Sequence, residues 1–282
     1  MSVASKLPLS TGQILGLVRE LRASAKEDRP LAVGGAGELA GVLRRDLTRG
    51  GVASAVRDTT ALEGSAILVY VLAGPPEEAD LELFRRAQRA HVPIVAVLAG
   101  PRAESQADPP YVLAENVVRV SPGSGFPVDL IARAIARTLG ERATTLAARL
   151  PVLREAVVDR VINQFSRQNG VIGVAVFVPG ADFPLLTANQ VRMLMRIADA
   201  YGFELDKERL PEILGVVGTG YGLRAAARSL LGIVPVAGWA VKGGIAYAGT
   251  RALGEAARRH FERKAPVTRV PGDRVVFPPP AP

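Results

Sequence analysis

Residues 31–47 read LAVGGAGELAGVLRRDL. Three apolar residues run into Gly34, Gly35 and Gly37, and an amphipathic segment follows with Leu39, Val42, Leu43 and Leu47. A strand, a glycine turn and a helix in this order build the phosphate-binding corner of many α/β proteins, because the turn gathers backbone N–H groups at the positive end of the helix. In its working form the turn reads GxxxxGK and then Ser or Thr, the lysine neutralising phosphate and the hydroxyl binding magnesium. Here Leu39, Ala40, Gly41 and Val42 stand where the lysine would fall, and no register restores it. The stretch therefore predicts the frame of such a corner. Gly34, Gly35 and Gly37 are either a remnant phosphate loop acting through backbone amides or a turn kept for its backbone geometry.

Outward from this corner the pattern repeats. Short β-rich runs, PLAV, GVASAV, AILVYVLA, VPIVAVLA and NVVRV, alternate with helical stretches between Pro30 and Val120. The segment from Pro75 to His91 has acidic residues near its start and basic ones near its end, as a helix dipole prefers, and His91 falls where a helix C-terminus needs a cap. VDLIARAIARTLG, closed by Gly140, predicts the last helix of the set. Continuous apolar strands separated by helices indicate a parallel sheet covered on both faces. Ahead of it, STGQILGLVRELRASA carries a capping box, Ser10 with Gln13, and predicts an N-terminal helix.

Strand-like runs stop near Pro151 and helical ones take over. We place an α/β domain at 1–148, an all-α helical domain at 149–265 and a proline-rich tail at 266–282. In LLTANQVRMLMRIADAYG, Thr187 and Gln190 form a capping box, positions 191, 194, 195, 198 and 201 share a face, and Gly202 supplies the stop. Met193 and Met195 are read as packing residues. From about 236 to 262 a further helix carries small residues every four positions, Ala240, Gly244, Ala248, Ala252 and Ala256, a row that lets another helix approach closely. The longest uncharged run there, Ser229 to Val241, is 13 residues, short of the roughly 20 that a membrane span needs. Peripheral or hairpin-like membrane association and a wholly soluble helical domain both remain open.

Two resemblances follow from these residues. The order and spacing of residues 30 to 140 resemble the small GTPase domain of the bacterial Era and EngA-like group, with its motifs lost: Leu98-Ala99-Gly100-Pro101 stands where Asn-Lys-x-Asp would read guanine, and Asp58 is the one remnant of the metal loop. The second half, through VFVPGADFPLLTANQ and on to Phe261, resembles the GTPase-associated domain of unknown function in YcjF-type inner-membrane proteins. It does so at Pro179, Gly180, Asp182, Gln190, Tyr201, Gly202, Pro235, Gly238, Thr250 and Gly254. The resemblance implies a bacterial protein with a degenerate P-loop GTPase-like domain joined to a YcjF-type helical domain.

Composition limits the chemistry. Cysteine is absent, so neither disulfides nor thiol catalysis is available, in keeping with a reducing compartment. No apolar stretch of signal-peptide length precedes Arg19, and the reading is cytoplasmic, at the cytoplasmic face of the inner membrane if the helical domain associates there. Residues after 150 carry +6 of the net charge of +8, yet the arginines are scattered and not interleaved with aromatics, which speaks against specific nucleic-acid binding. His91 and His260 are the only histidines and neither stands in a ligand pattern. No catalytic residue and no metal or cofactor site is assigned, GTP being the one cofactor worth testing. The resulting expectation is a non-catalytic, pseudo-GTPase scaffold or regulatory protein that binds a protein partner or a second copy of itself. The alternative is a nucleotide-binding protein or GTPase with an unconventional phosphate loop at residues 34 to 41.

Overall fold

The computed structural model describes residues 29–121, 123–175, 183–203 and 239–265, together with Gly16. The predicted N-terminal helix, the residues Pro179, Gly180, Asp182, Pro235 and Gly238, and the tail from residue 266 lie outside the described residues. Packing divides the chain into two compact units that meet between Val157 and Val158. That is nine residues beyond the boundary at 148/149 read from composition, because a helix continues through the joint.

The first unit holds five parallel strands, β1 (Leu31–Gly35), β2 (Val56–Arg57), β3 (Ile67–Leu72), β4 (Ile94–Leu98) and β5 (Val117–Arg119), in the order β2-β1-β3-β4-β5. Four of the five runs picked out by their β-rich composition form these strands; the second, residues 51–56, reaches β2 only at Val56, with Ala53–Ala55 in a 3-10 turn. Every residue of β3 and of β4 is buried, as expected of central strands with both faces covered. Successive side chains alternate between faces. Leu68, Tyr70 and Leu72 pack with Ala32, Phe84, Ala87, Ile94 and Leu98 on one side, which leaves Ile67, Val69 and Val71 to the other.

Helices α1 (Gly37–Leu47), α2 (Glu78–Arg89), α3 (Val128–Leu139) and α4 (Ala143–Arg149) complete the unit. In α2 the dipole arrangement is explicit: the Glu77 N–H donates to Asp80 Oδ2 at 2.8 Å, and Arg86 and Arg89 occupy the last turn. His91 then closes the helix in a left-handed conformation, φ 54°, with its N–H on the Gln88 carbonyl and the Val92 N–H on that of Ala87. The order 2-1-3-4-5 is a doubly wound one whose switch point lies between β1 and β3.

In the second unit three helices are described, α5 (Arg154–Ala175, which begins one turn before the joint), α6 (Phe183–Ala200) and α7 (Trp239–Lys264). Helix α6 starts four residues ahead of the capping box read at Thr187, which instead sits inside the helix and is 7% exposed. Its C-terminus matches expectation. Gly202 has φ 83°, its N–H meets the Asp199 carbonyl at 2.8 Å, and the Phe203 N–H meets that of Ala198 at 3.0 Å. Met193 and Met195 are buried with Val191, Leu194 and Ala198, but so are Arg196 and Asp199, so α6 is enclosed on nearly every side rather than along one stripe. Among the described residues no helix is long and apolar enough to cross a membrane.

Candidate functional site

Ligands of doubly wound sheets sit outside the carboxyl ends of the strands, beside the switch point. In this chain that edge is formed by Gly35, the loops after β3 and β4, and the residues following β5. The connection from β1 to α1 is a single residue, Ala36. Its N–H donates to the Val71 carbonyl at 2.9 Å. Gly35, paired with Val71 across the sheet, has φ 105°, and a Cβ there would stand 2.0 Å from the Val71 oxygen. A Cβ on Gly34 would stand 2.3 Å from Thr59 Cγ2. Gly34 and Gly35 are therefore explained by close backbone approach to β3 and β2's trailing loop, and only Gly37 opens onto free space. The remaining amides at the start of α1 share their turn with the exposed Glu38 carboxylate, which repels an anion arriving there.

The rest of the edge is covered by the chain itself. No α-helix joins β4 to β5; an irregular segment from Ala99 to Leu113 does so. The Ala99 N–H bonds to Leu72 O at 2.8 Å, and Gly100 packs so tightly on Ala73 that a Cβ would be 2.0 Å from its oxygen. Gln106 Nε2 donates to Gly74 O at 2.8 Å. Arg119, the last residue of β5, donates to Gln106 O at 3.1 Å and to Asp108 Oδ1 at 2.7 Å, and Ser121 donates to Glu104 at 3.2 Å. The segment thus ties together the carboxyl ends of β3, β4 and β5.

Glu38, Asp58, Glu77, Asp80, Glu104 and Asp108 all lie in segments that follow strand ends, as does Arg102, and Arg119 at the end of β5 pairs with Asp108. Tyr70, on β3, donates its hydroxyl to Asp80 at 2.5 Å, and burial first, then that bond, pushes its pKa well above the ordinary phenol value. The hydroxyl stays protonated and serves as a strut between β3 and α2. Asp58 is exposed, and among the described residues no group of His, Asp or Glu is disposed to hold a metal.

In the helical unit the structure brings together two residues singled out from sequence. Thr250 Oγ1 accepts from Gln190 Nε2 at 3.3 Å and from Asn169 Nδ2 at 2.8 Å, while Asn189 Nδ2 donates to Asn169 Oδ1 at 3.1 Å. Asn169 and Thr250 are both fully buried. Asn169 was not picked out from sequence, because Asn-Gly reads locally as turn chemistry and gives no sign of a helix interior. Tyr201 and Gly202 serve the end of α6, and Gly254 lies against Ile162, where a Cβ would be 2.8 Å from Cγ1. From Gly244 onward the row of small residues falls elsewhere than on the packed face; the side chain of Ala240 lies outside the described residues. Gly244, Ala248 and Ala252 are exposed and Ala256 partly so, whereas Gly243, Ala246, Thr250, Leu253, Gly254, Ala257 and Phe261 are buried. At 100° per residue the two sets are centred roughly 175° apart on α7. Close approach is made by the second set: a Cβ on Gly243 would be 2.8 Å from Gly170 O.

His260 lies on α7 beside Phe261, ring centroids 5.4 Å apart; burial, then Lys264 and Arg263, lower its pKa from the usual imidazole value. No protein-family model and no curated protein matches the chain.

Proposed function

We propose that the protein is a non-catalytic scaffold or regulatory protein, its α/β unit a pseudo-GTPase that keeps the frame of a nucleotide domain without the site. The observation that carries this reading is the one-residue turn after β1, in which Gly35 and Ala36 are held against Val71 and leave no loop of free amides to wrap a phosphate. The segment 99–113 laid across the same edge supports it further. The resemblance to YcjF-type domains gives the helical unit its part: contact with a protein partner, a second copy, or the surface of the inner membrane.

Calorimetric titration of the full chain with GTP, GDP and ATP, with and without magnesium, tests the reading. No binding heat at tens of micromolar protein is the expected result. Saturable nucleotide binding that Gly37→Val abolishes would replace the scaffold with the alternative, an enzyme or nucleotide-binding protein using α1's open N-terminus.

A further inference from the structure

Helix α7 is held by two unlike halves. From Leu253 onward it is anchored by bulk and charge: Leu253, Ala257 and Phe261 are buried, Phe261 meets Phe203 at 5.2 Å between ring centroids, and Arg258 bonds to Asp159. Arg251, between the two halves, donates to Asn163 Oδ1 at 2.6 Å. Between Gly243 and Thr250 the fully covered residues are Gly243, Ala246 and Thr250 alone. Glycine and alanine remove little apolar surface from water, so close packing of Gly243 on Gly170 contributes little of the usual burial energy. Ile245 and Tyr247 are only half-buried, Tyr247 against Gly170, and beside this modest apolar contact the half is held by hydrogen bonding. Thr250 accepts from α5 through Asn169 and from α6 through Gln190, and Asn169 is further tied to Leu186 O at 3.4 Å and to Asn189.

Such a layer behaves differently from an apolar contact. Its groups are desolvated, so losing one partner leaves a buried donor or acceptor unpaired, and the whole contact fails at once rather than weakening gradually. Ser166, one turn before Asn169 on α5, is itself fully buried with its hydroxyl unpartnered, which raises the cost of polar burial here. We propose that the Asn169–Thr250–Gln190 layer is a latch, and that the segment 243–250 of α7 opens as a unit of its own while 253–264 stays packed. Opening would uncover the Gly170–Gly243 contact and the polar layer and leave the fold of the unit in place. It is the low-stability end of a helix whose other end is fixed.

Amide hydrogen exchange followed by mass spectrometry on the full-length chain tests this. Thr250→Val keeps the shape and removes the acceptor, and Asn169→Ala removes the donor. In each variant, exchange in 243–250 should accelerate about tenfold with 253–264 and 191–201 unchanged. Thr250→Ser, which retains the hydroxyl, should keep the wild-type rates. If the buried variants fail to fold, Gln190→Ala removes the partly exposed partner and should give the same contrast in smaller measure. Equal acceleration across α5, α6 and α7, or unchanged exchange in 243–250, overturns the proposal.

Discussion

Gly35 and Gly37 stand two positions apart in one turn and answer to different constraints. Gly35 combines a φ of 105° with a backbone oxygen where a side chain would begin, whereas Gly37 opens a helix into free space. Gly35→Ala should destabilise the α/β unit by more than about 2 kcal/mol, and Gly37→Ala should be neutral or stabilising by up to about 1 kcal/mol, both read from urea midpoints. Equal sensitivity at the two positions would contradict the turn described above. His91 offers the converse case. It is exposed, and its left-handed backbone costs roughly 1 kcal/mol that glycine avoids, so His91→Gly should raise the urea midpoint. The sequence placed His91 at a helix end and the glycines in a turn. It could not say which glycine was under strain, since that depends on Val71, 36 positions away in the chain and adjacent only across the sheet.

At the scale of elements, α7 separates periodicity from orientation. A row of small residues every four positions was legible at once, but the helix buries the nearly opposite face, where Leu253 and Phe261 have more surface to remove from water. Adjacent substitutions report the choice. Gly243→Ala places a methyl 2.4 Å from Val174 Cγ2 and should cost about 1–3 kcal/mol, whereas Gly244→Ala meets nothing within 4 Å and should stabilise the helix by about 0.5–1 kcal/mol. Reversed signs in thermal melts would mean that the exposed row is the packed one. His260 on the same helix sets a pH dependence. Its folded pKa lies below that of the unfolded chain, about 6.5. Below that value the unfolded chain takes up a proton first, so stability present at neutral pH is lost as pH falls through the unfolded and then the folded pKa. Melting temperatures at pH 7.5 and 5.5 should differ more for the wild type than for His260→Gln.

For the whole molecule, two compact units predict two separable unfolding events. Trp239, the only tryptophan, belongs to α7, so its fluorescence follows the helical unit while far-ultraviolet circular dichroism follows both. In urea the two signals should not coincide, and Gly35→Ala should move the dichroism curve while leaving the fluorescence midpoint in place. Coincident curves that shift together would make the chain one cooperative body.

Local pattern by itself indicated the strands of the parallel sheet, helix α2, the C-terminus of α6, and the absence of a lysine and a hydroxyl after the glycine turn, because each is written in neighbouring side chains and their period. Tertiary structure alone decided that β1 sits between β2 and β3, that residues 99–113 cover the carboxyl edge, which face of α7 is buried, and that Asn169, Gln190 and Thr250 meet. These depend on contacts between segments up to 81 positions apart. No short-range propensity encodes such contacts; competition among surfaces for burial and among buried polar groups for partners selects them.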